Sequence, residues 1–199
     1  MRRWMEASEE IIKGISEAIS GLDPSQVEKM LEALLDVRAE GRKALVVGAG
    51  RSGLVGKAFA MRLMHLGFNV YVMGETITPT IGDGDLVLVV SGSGSGALST
   101  TAANMAKRLG ALVLAVTSYP DSALGRTADL VVVVPGREVV AREEEYRSRQ
   151  LLGEHASLAP MGTLFEDSCT VFLDSVIAEL MTRLEVSEEA MKGKHTTIE

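Results

Sequence analysis

Two stretches before residue 42 carry apolar residues at helical spacing. The first runs up to Gly21, and its apolar positions are Met5, Ile11, Ile12, Ile15 and Ile19. In the second, Asp23, Pro24 and Gln26 form the pattern of an N-cap, a proline in the first turn and a capping-box residue. The spacing predicts two amphipathic helices, and we expect the second to end near Gly41.

From residue 44 onward, the pattern changes to short, almost continuously apolar runs that are rich in β-branched residues. Five runs predict strands: Ala44–Val47, Val70–Met73, Leu86–Val90, Leu112–Thr117 and Leu130–Val134. Such runs are typical of strands that are buried on both faces of a sheet. Helical patterns follow the first run, over Gly53–Leu66, and the third, over Ala97–Leu109. This alternation predicts an α/β fold with a five-stranded, parallel, doubly wound sheet in the flavodoxin-like order 2-1-3-4-5.

The last part of the sequence begins with a charged crossover over residues 136–160. It continues as a long helix from about Thr163 to Leu184 and ends in a short polar tail, Met191–Glu199. A length of 199 residues fits one domain. We therefore expect a single domain with a helical extension at 1–41, an α/β core at 42–185 and a tail at 186–199.

Composition narrows the function classes. A hydrophobic fraction of 46% is ample for a buried core and excludes a disordered chain. A net charge of −7 argues against a partner such as DNA, which requires a basic face. The single cysteine, Cys169, excludes an internal disulfide, and no apolar stretch is long enough to span a membrane. The acidic N-terminal segment lacks the pattern of a secretory signal, so we expect a cytoplasmic protein without a nucleic-acid or membrane partner.

Two glycine-rich loops follow the first and third predicted strands, at Gly48–Gly53 and Ser91–Gly96, and each opens a helix. Glycine lets the backbone approach a ligand, and a helix N-terminus offers N–H groups to an anion. Strands one and three are neighbours in the predicted order, so both loops would meet at the switch point of the sheet. The pattern indicates a phosphate-binding crevice.

Two other interpretations of these loops exist. The first loop matches G-x-G-x-x-G, and Glu75 follows at a distance that would suit a nucleotide ribose, which indicates a dinucleotide site. A nicotinamide site would leave the second loop unexplained, and the chain has little room for a separate substrate domain. Alternatively, both loops are merely flexible turns. Flexibility is a sufficient explanation for a single glycine-rich loop. It explains less well why two such loops would meet at the switch point of the sheet.

The loops Gly-Ala-Gly-Arg-Ser-Gly and Ser-Gly-Ser-Gly are similar to those of the sugar isomerase (SIS) domain. Three further parts resemble the 6-phospho-3-hexuloisomerases within that superfamily: Gly74–Pro79, the pair of segments 148–151 and 159–166, and Met191–His195. The resemblance covers essentially the whole chain. It implies the interconversion of 3-hexulose 6-phosphate and fructose 6-phosphate, without a metal or another cofactor, in a homotetramer.

The resemblance also implies substrate-binding residues in the two loops and in the 74–79 segment. They are Gly50, Arg51, Ser52, Thr76, Ser91, Gly92, Ser93, Gly94, Ser95 and Gly96. At Gly96 the chain departs from the SIS pattern, which usually has a threonine there. We therefore expect Ser95, Ser99 or Thr100 to replace one hydroxyl contact to the phosphate.

An isomerase of this kind needs a base that moves a proton between adjacent carbons and a group that stabilises the enediolate oxygen. Glu166 is a candidate base, because helical spacing places it on the apolar face of the last helix with Cys169 and Leu173. Thr163 and Glu166 also form a capping-box pattern, in which the glutamate would only accept the N-cap N–H. The residues alone leave both roles open, and the resemblance favours catalysis.

His195 lies in the polar tail, for which a disordered end is the simplest expectation. The resemblance instead implies that the tail covers a neighbouring subunit's crevice and provides an acid or oxygen partner. Of the other histidines, His65 fits a packed or surface position, and His155 is a weaker active-site candidate. Cys169 fits a small core residue rather than a nucleophile.

The two N-terminal helices exceed what a five-stranded domain needs to cover its faces. They would pack between subunits of a tetramer or, alternatively, across one face of the sheet. Three other functions stay open at this stage: an SIS-type isomerase of the arabinose 5-phosphate class, a non-catalytic sugar-phosphate sensor, and a nucleotide-binding module that uses the first loop alone. The first usually carries regulatory domains, for which we expect no room in 199 residues, and the second a DNA-binding module, of which we find no basic helix-turn-helix pattern before residue 42.

Overall fold

The computed structural model describes residues 2–136 and 158–195. Its helices are α1 (Arg3–Ser20), α2 (Pro24–Ala39), α3 (Gly50–His65), α4 (Ala97–Arg108), α5 (Ala123–Thr127), α6 (Thr163–Arg183) and α7 (Glu188–Lys192). Its strands are β1 (Lys43–Gly48), β2 (Asn69–Val72), β3 (Leu86–Val90), β4 (Leu112–Thr117) and β5 (Leu130–Val133). All five predicted strands are present, with ends that shift by one residue at most.

The five strands form one parallel sheet in the order β2-β1-β3-β4-β5. This confirms the predicted doubly wound fold. β1 and β3 are neighbours, and their register pairs Gly48 with Val90, the last residue of each strand. Both strands therefore end at the same edge of the sheet, which places the two glycine-rich segments side by side.

Apolar cores lie on both faces of the sheet because side chains alternate along each strand. The larger core contains Val46 and Leu88 from the strands and receives the buried faces of α2, α3 and α6. The smaller core contains Val47 and Val89 and is covered by α4 and α5. The continuously apolar strand pattern is thus explained by burial on both faces.

The N-terminal helices have different roles. α2 lies on the larger core, with Met30 and Leu34 fully buried, so the intramolecular alternative is correct for this helix. α1 lies against the start of α6, where Gly14 is so close that a Cβ would be 2.7 Å from Leu164. Trp4 and Ile12 on α1 remain exposed.

The start of α2 differs in one respect from the prediction. Asp23 is the N-cap and accepts a hydrogen bond from the Ser25 N–H, as expected. Gln26, however, does not form a capping box. Its Oε1 accepts the N–H of Val133 at 2.9 Å, because the edge strand β5 offers that donor to the overlying helix.

α3 begins three residues earlier than predicted, at Gly50, so Arg51 and Ser52 belong to its first turn rather than to a loop. The tight junction requires glycine. A Cβ at Gly48 would lie 2.8 Å from the Gly53 Cα, and a Cβ at Gly53 would lie 2.8 Å from the Gly48 carbonyl oxygen. The helix thus starts directly at the end of β1.

α6 buries the predicted face, including Glu166, Cys169, Leu173 and Ile177. Up to residue 195, the tail is not the disordered end that is the simplest expectation, since α7 lies there and Met191 is buried in the larger core. Within residues 2–136 and 158–195, we find no helix whose length and apolar character would suffice to cross a membrane.

Candidate active site

The crevice at the ends of β1 and β3 is bordered by the N-termini of α3 and α4. Neither helix has a side-chain cap among the residues that the structure describes. By contrast, Asp23 caps α2 and Ser122 caps α5. The first N–H groups of α3 and α4 are therefore not occupied by a capping side chain, and together with the positive ends of the helix dipoles they can bind an anion.

The Ser91–Gly96 segment is held in a fixed shape by β4 and α5. The Ser91 N–H donates to the Val116 carbonyl, and the Gly92 carbonyl accepts the Ser118 N–H. Gly94 has a φ of +59°, and a Cβ there would lie 1.9 Å from the Ser122 Oγ. Only glycine fits this position, so Gly94 is a structural requirement of the turn.

The three hydroxyls that would replace the missing threonine at position 96 have different surroundings. Ser95 is exposed, whereas Ser99 is buried. The Thr100 hydroxyl donates to the carbonyls of Gly96 and Ala97 within the first turn of α4. Of the three residues, Ser95 is the most exposed, and Thr100 is half-buried.

The structure brings together Glu166, Ser52 and Arg51. Glu166 is 6% exposed, and its Oε1 accepts a hydrogen bond of 3.3 Å from the Ser52 Oγ. The Arg51 Nε lies 3.4 Å from the Glu166 Oε2, and the Arg51 Nη2 lies 3.5 Å from Asp167 Oδ1. The first turns of α3 and α6 are thus linked by one guanidinium and two consecutive carboxylates.

The contacts of Glu166 are not those of a capping box. The N-cap of α6 is Gly162, and the Thr163 N–H donates to the Pro160 carbonyl. Gly162 has a φ of +87°, and a Cβ there would lie 2.7 Å from Glu166 Oε2. That oxygen is buried, and none of the described residues donates a hydrogen bond to it, because Arg51 approaches as an ion pair only. The carboxylate keeps one oxygen for another donor.

His195 lies at the opposite end of α3. Its ring centroid is 5.3 Å from that of His65, at the border of a cavity of about 430 Å³ that Arg62 and Asp174 also line. His65 lies thirteen positions after Ser52 on α3, which corresponds to about 20 Å. The structure therefore does not bring His195 to the Glu166 site of its own chain.

His65 is packed rather than at the surface, since it is only 3% exposed. Of the two positions expected for it, the packed one is therefore correct. Burial lowers the pKa of its imidazole, and the neighbouring His195, Arg62 and Lys194 lower it further. The neutral form of His65 is thus favoured in the fold.

The turn after β2 contains the remaining described candidates. Thr76 is exposed there, and the Thr78 hydroxyl donates to the carbonyls of Val72 and Glu75. The Glu75 carboxylate, which a dinucleotide site would need, pairs with Lys57 at 3.0 Å. This turn lies at the same edge of the sheet as the crevice, because β2 is parallel to β1.

Cys169 is completely buried, and burial together with the Glu166 charge raises the pKa of its thiol, so it is a core residue as predicted. Sequence reasoning missed Asp167, whose only signal is its position beside Glu166 in the first turn of α6. His155 and the 148–151 segment lie outside the described residues.

Comparison with known proteins identifies relatives that align with nearly the whole chain. The family model of the SIS domain matches residues 39–143. An uncharacterized protein of Aeropyrum pernix is 55% identical over 96% of this chain and 90% of its own length. The chain is 35% identical to the 3-hexulose-6-phosphate isomerase of Bacillus subtilis, over 96% of each protein.

Among solved structures, a hypothetical protein of Methanococcus jannaschii matches with a TM-score of 0.76 and 29% identity. The alignment covers 100% of both chains, and the structure of that protein was used to infer a function as 3-hexulose-6-phosphate isomerase.

Proposed function

Since this chain belongs to the SIS domain family and aligns over nearly its full length with a 3-hexulose-6-phosphate isomerase, we propose that it interconverts D-arabino-hex-3-ulose 6-phosphate and fructose 6-phosphate. The chain is an isomerase of phosphorylated sugars. The observation that carries the more specific proposal is the buried Glu166 carboxylate at the crevice between β1 and β3. We place the reaction in the cytoplasm.

The phosphate of the substrate would bind at the N-terminus of α4 and on the Ser91–Gly96 segment. The support is the uncapped helix end, together with the exposed Ser95 and the half-buried Ser93. Backbone N–H groups bind phosphate without adding charge, which suits a protein with a net charge of −7. Arg51 adds a positive charge at the α3 side of the same crevice.

Glu166 would act as the base. It would take the proton from C2 of the 3-ketose, leave an enediolate across C2 and C3, and return the proton to C3. The proton of the C2 hydroxyl would pass to the C3 oxygen, which gives the 2-ketose. The hydrogen bond from Ser52 to Oε1 and the ion pair between Arg51 and Oε2 orient the carboxylate for this transfer. No step in this scheme requires an electron acceptor.

His195 would stabilise the enediolate oxygen, from the tail of a neighbouring subunit in a homotetramer. The support is distance, because His195 contacts His65, which lies about 20 Å along α3 from Ser52. The exposed Trp4 and Ile12 of α1 offer an apolar surface for such an assembly.

The direct test is a coupled assay that follows fructose 6-phosphate formed from 3-hexulose 6-phosphate, with arabinose 5-phosphate as a competing substrate. Turnover of the hexulose phosphate is expected. Turnover of arabinose 5-phosphate alone would assign the chain to the other isomerase class. Binding of fructose 6-phosphate without turnover of either sugar would indicate a sensor.

The shared site has its own test, in which the Glu166→Gln and His195→Asn variants are co-expressed with different affinity tags. Mixed assemblies, isolated through both tags, contain some sites with both native residues if the tail acts on a neighbour. We expect such assemblies to regain activity that neither variant has alone. Doubly tagged assemblies without activity would show that His195 does not complete a neighbouring site.

A further inference from the structure

Arg51 is shared between two carboxylates of different character. Glu166 is buried, whereas the side chain of Asp167 is 42% exposed and that of Arg51 is 56% exposed. Asp167 is therefore the outer partner of the guanidinium, on the solvent side, and Glu166 is the inner partner. A ligand that enters from solvent can reach both Arg51 and Asp167.

The position of Arg51 is unfavourable for a cation in the absence of these partners. It lies in the first turn of α3 and contacts the first turn of α6, so the positive ends of two helix dipoles are nearby. The two carboxylates offset this field. If Arg51 moved to an anionic ligand and left Glu166, Asp167 would be the protein carboxylate that still held it.

We propose that Asp167 is a positioning residue, which keeps the Arg51 guanidinium at the crevice while Arg51 exchanges Glu166 for the anionic group of the substrate. This inference rests on the proposed function of the site. The exchange frees the Glu166 Oε2 for proton transfer, and Asp167 prevents Arg51 from turning into solvent. Asp167 itself does not contact the reacting atoms.

The test compares Asp167→Asn with Asp167→Glu, which retains the charge, and with Asp174→Asn, which removes the same charge two turns along α6. We expect Asp167→Asn to raise KM about fivefold and to change kcat less than about twofold, since a half-exposed ion pair contributes modestly to binding. Asp167→Glu recovers most of the loss, and Asp174→Asn has no effect.

A double-mutant cycle with Arg51→Ala shows whether Asp167 acts through Arg51. In the Arg51→Ala background, Asp167→Asn should have no further effect on KM. An equal effect in both backgrounds, a loss in kcat alone, or the same effect from Asp174→Asn would overturn the inference. Thermal melting of each variant detects a general loss of stability, which would also count against it.

Calorimetric titration with fructose 6-phosphate separates this inference from the proposed function. If the native protein binds fructose 6-phosphate but does not convert the hexulose phosphate, only the proposed function fails. The affinities of the same variants for fructose 6-phosphate then decide the role of Asp167. A native protein that binds no sugar phosphate would contradict both.

Discussion

The two ends of α3 both place ionisable groups against α6 or the tail, but they balance charge in different ways. At the N-terminal end, the cation Arg51 faces the carboxylates of Glu166 and Asp167. Opposite charges meet there, beside a crevice that is open to a ligand. Arg51 can therefore exchange a carboxylate of the protein for an anionic group of the ligand at this end.

At the C-terminal end, two cationic side chains and a second histidine lie beside a buried histidine, although the Asp174 carboxylate lines the same cavity. His65 is 3% exposed, and its neighbours His195, Arg62 and Lys194 all favour its neutral form. The negative end of the helix dipole offsets part of this positive field. The difference shows that one helix can contribute a charged group to the crevice at one end and an anchor for the tail at the other.

The largest expected effect concerns Glu166 at the N-terminal end. Glu166→Gln keeps a group that accepts the Ser52 hydrogen bond but cannot take a proton, so kcat should fall by about 10²- to 10⁴-fold. The melting temperature should change little. Glu179→Gln is the control, since Glu179 lies on the same helix and pairs with Arg183 at the surface. Retained activity in Glu166→Gln would show that Glu166 is not the base.

A smaller effect should follow from displacing that carboxylate without removing it. Gly162→Ala adds a Cβ at 2.7 Å from Glu166 Oε2, and a misplaced catalytic group can cost about 10²-fold in rate. Gly74→Ala is a matched control, because Gly74 has a similar φ of +94° with no atom within 4 Å of the added Cβ. Both variants lose stability through backbone strain, about 1–2 kcal/mol. Equal activities of the two would argue against a tightly placed Glu166.

The smallest effect is expected at the C-terminal end and depends on pH. The pKa of His65 is lowered in the fold, so the unfolded or undocked state binds more protons. The stabilisation from the docked tail should therefore be complete above the usual histidine pKa of about 6.5 and should be lost as the pH falls from there toward the lowered value. Amide hydrogen exchange over residues 188–195 measures this loss.

His65→Phe serves as the control for the pH effect, because it retains a buried ring without a titrating group. In that variant, the protection of the amides of residues 188–195 from hydrogen exchange should vary less between pH 7 and pH 5. This interval spans about two units around the usual histidine pKa. If native and variant proteins lose protection in parallel, a group other than His65 controls the docking.

The fold was predictable because its determinants are local. The strands buried on both faces are visible as apolar runs, and a parallel sheet with helices on both faces follows from the alternation of strands and helices. The start of α3 was misjudged because glycines in Gly48–Gly53 suggest a loop, whereas here they allow a helix to begin directly at a strand end. The local sequence pattern does not distinguish glycines of a loop from glycines that allow a helix to begin directly after a strand.

The candidate site was predictable only in part. The face of α6 that carries Glu166 follows from helical spacing, and the two glycine-rich segments follow from the switch-point rule. The bond between Ser52 and Glu166 joins residues 114 positions apart, and the contact between His65 and His195 spans most of the chain. Such pairs depend on how helices pack, so no local pattern reveals them.

The bond from the Val133 N–H to Gln26 has a consequence for how copies of this protein can meet. An open edge strand can pair with a strand of another molecule, because it presents a row of free N–H and carbonyl groups. Here a helix side chain occupies one of those donors, and α2 lies along the outermost strand. Growth of the sheet from one molecule into the next is discouraged at the β5 border, and the exposed face of α1 offers a helix surface through which copies can associate instead.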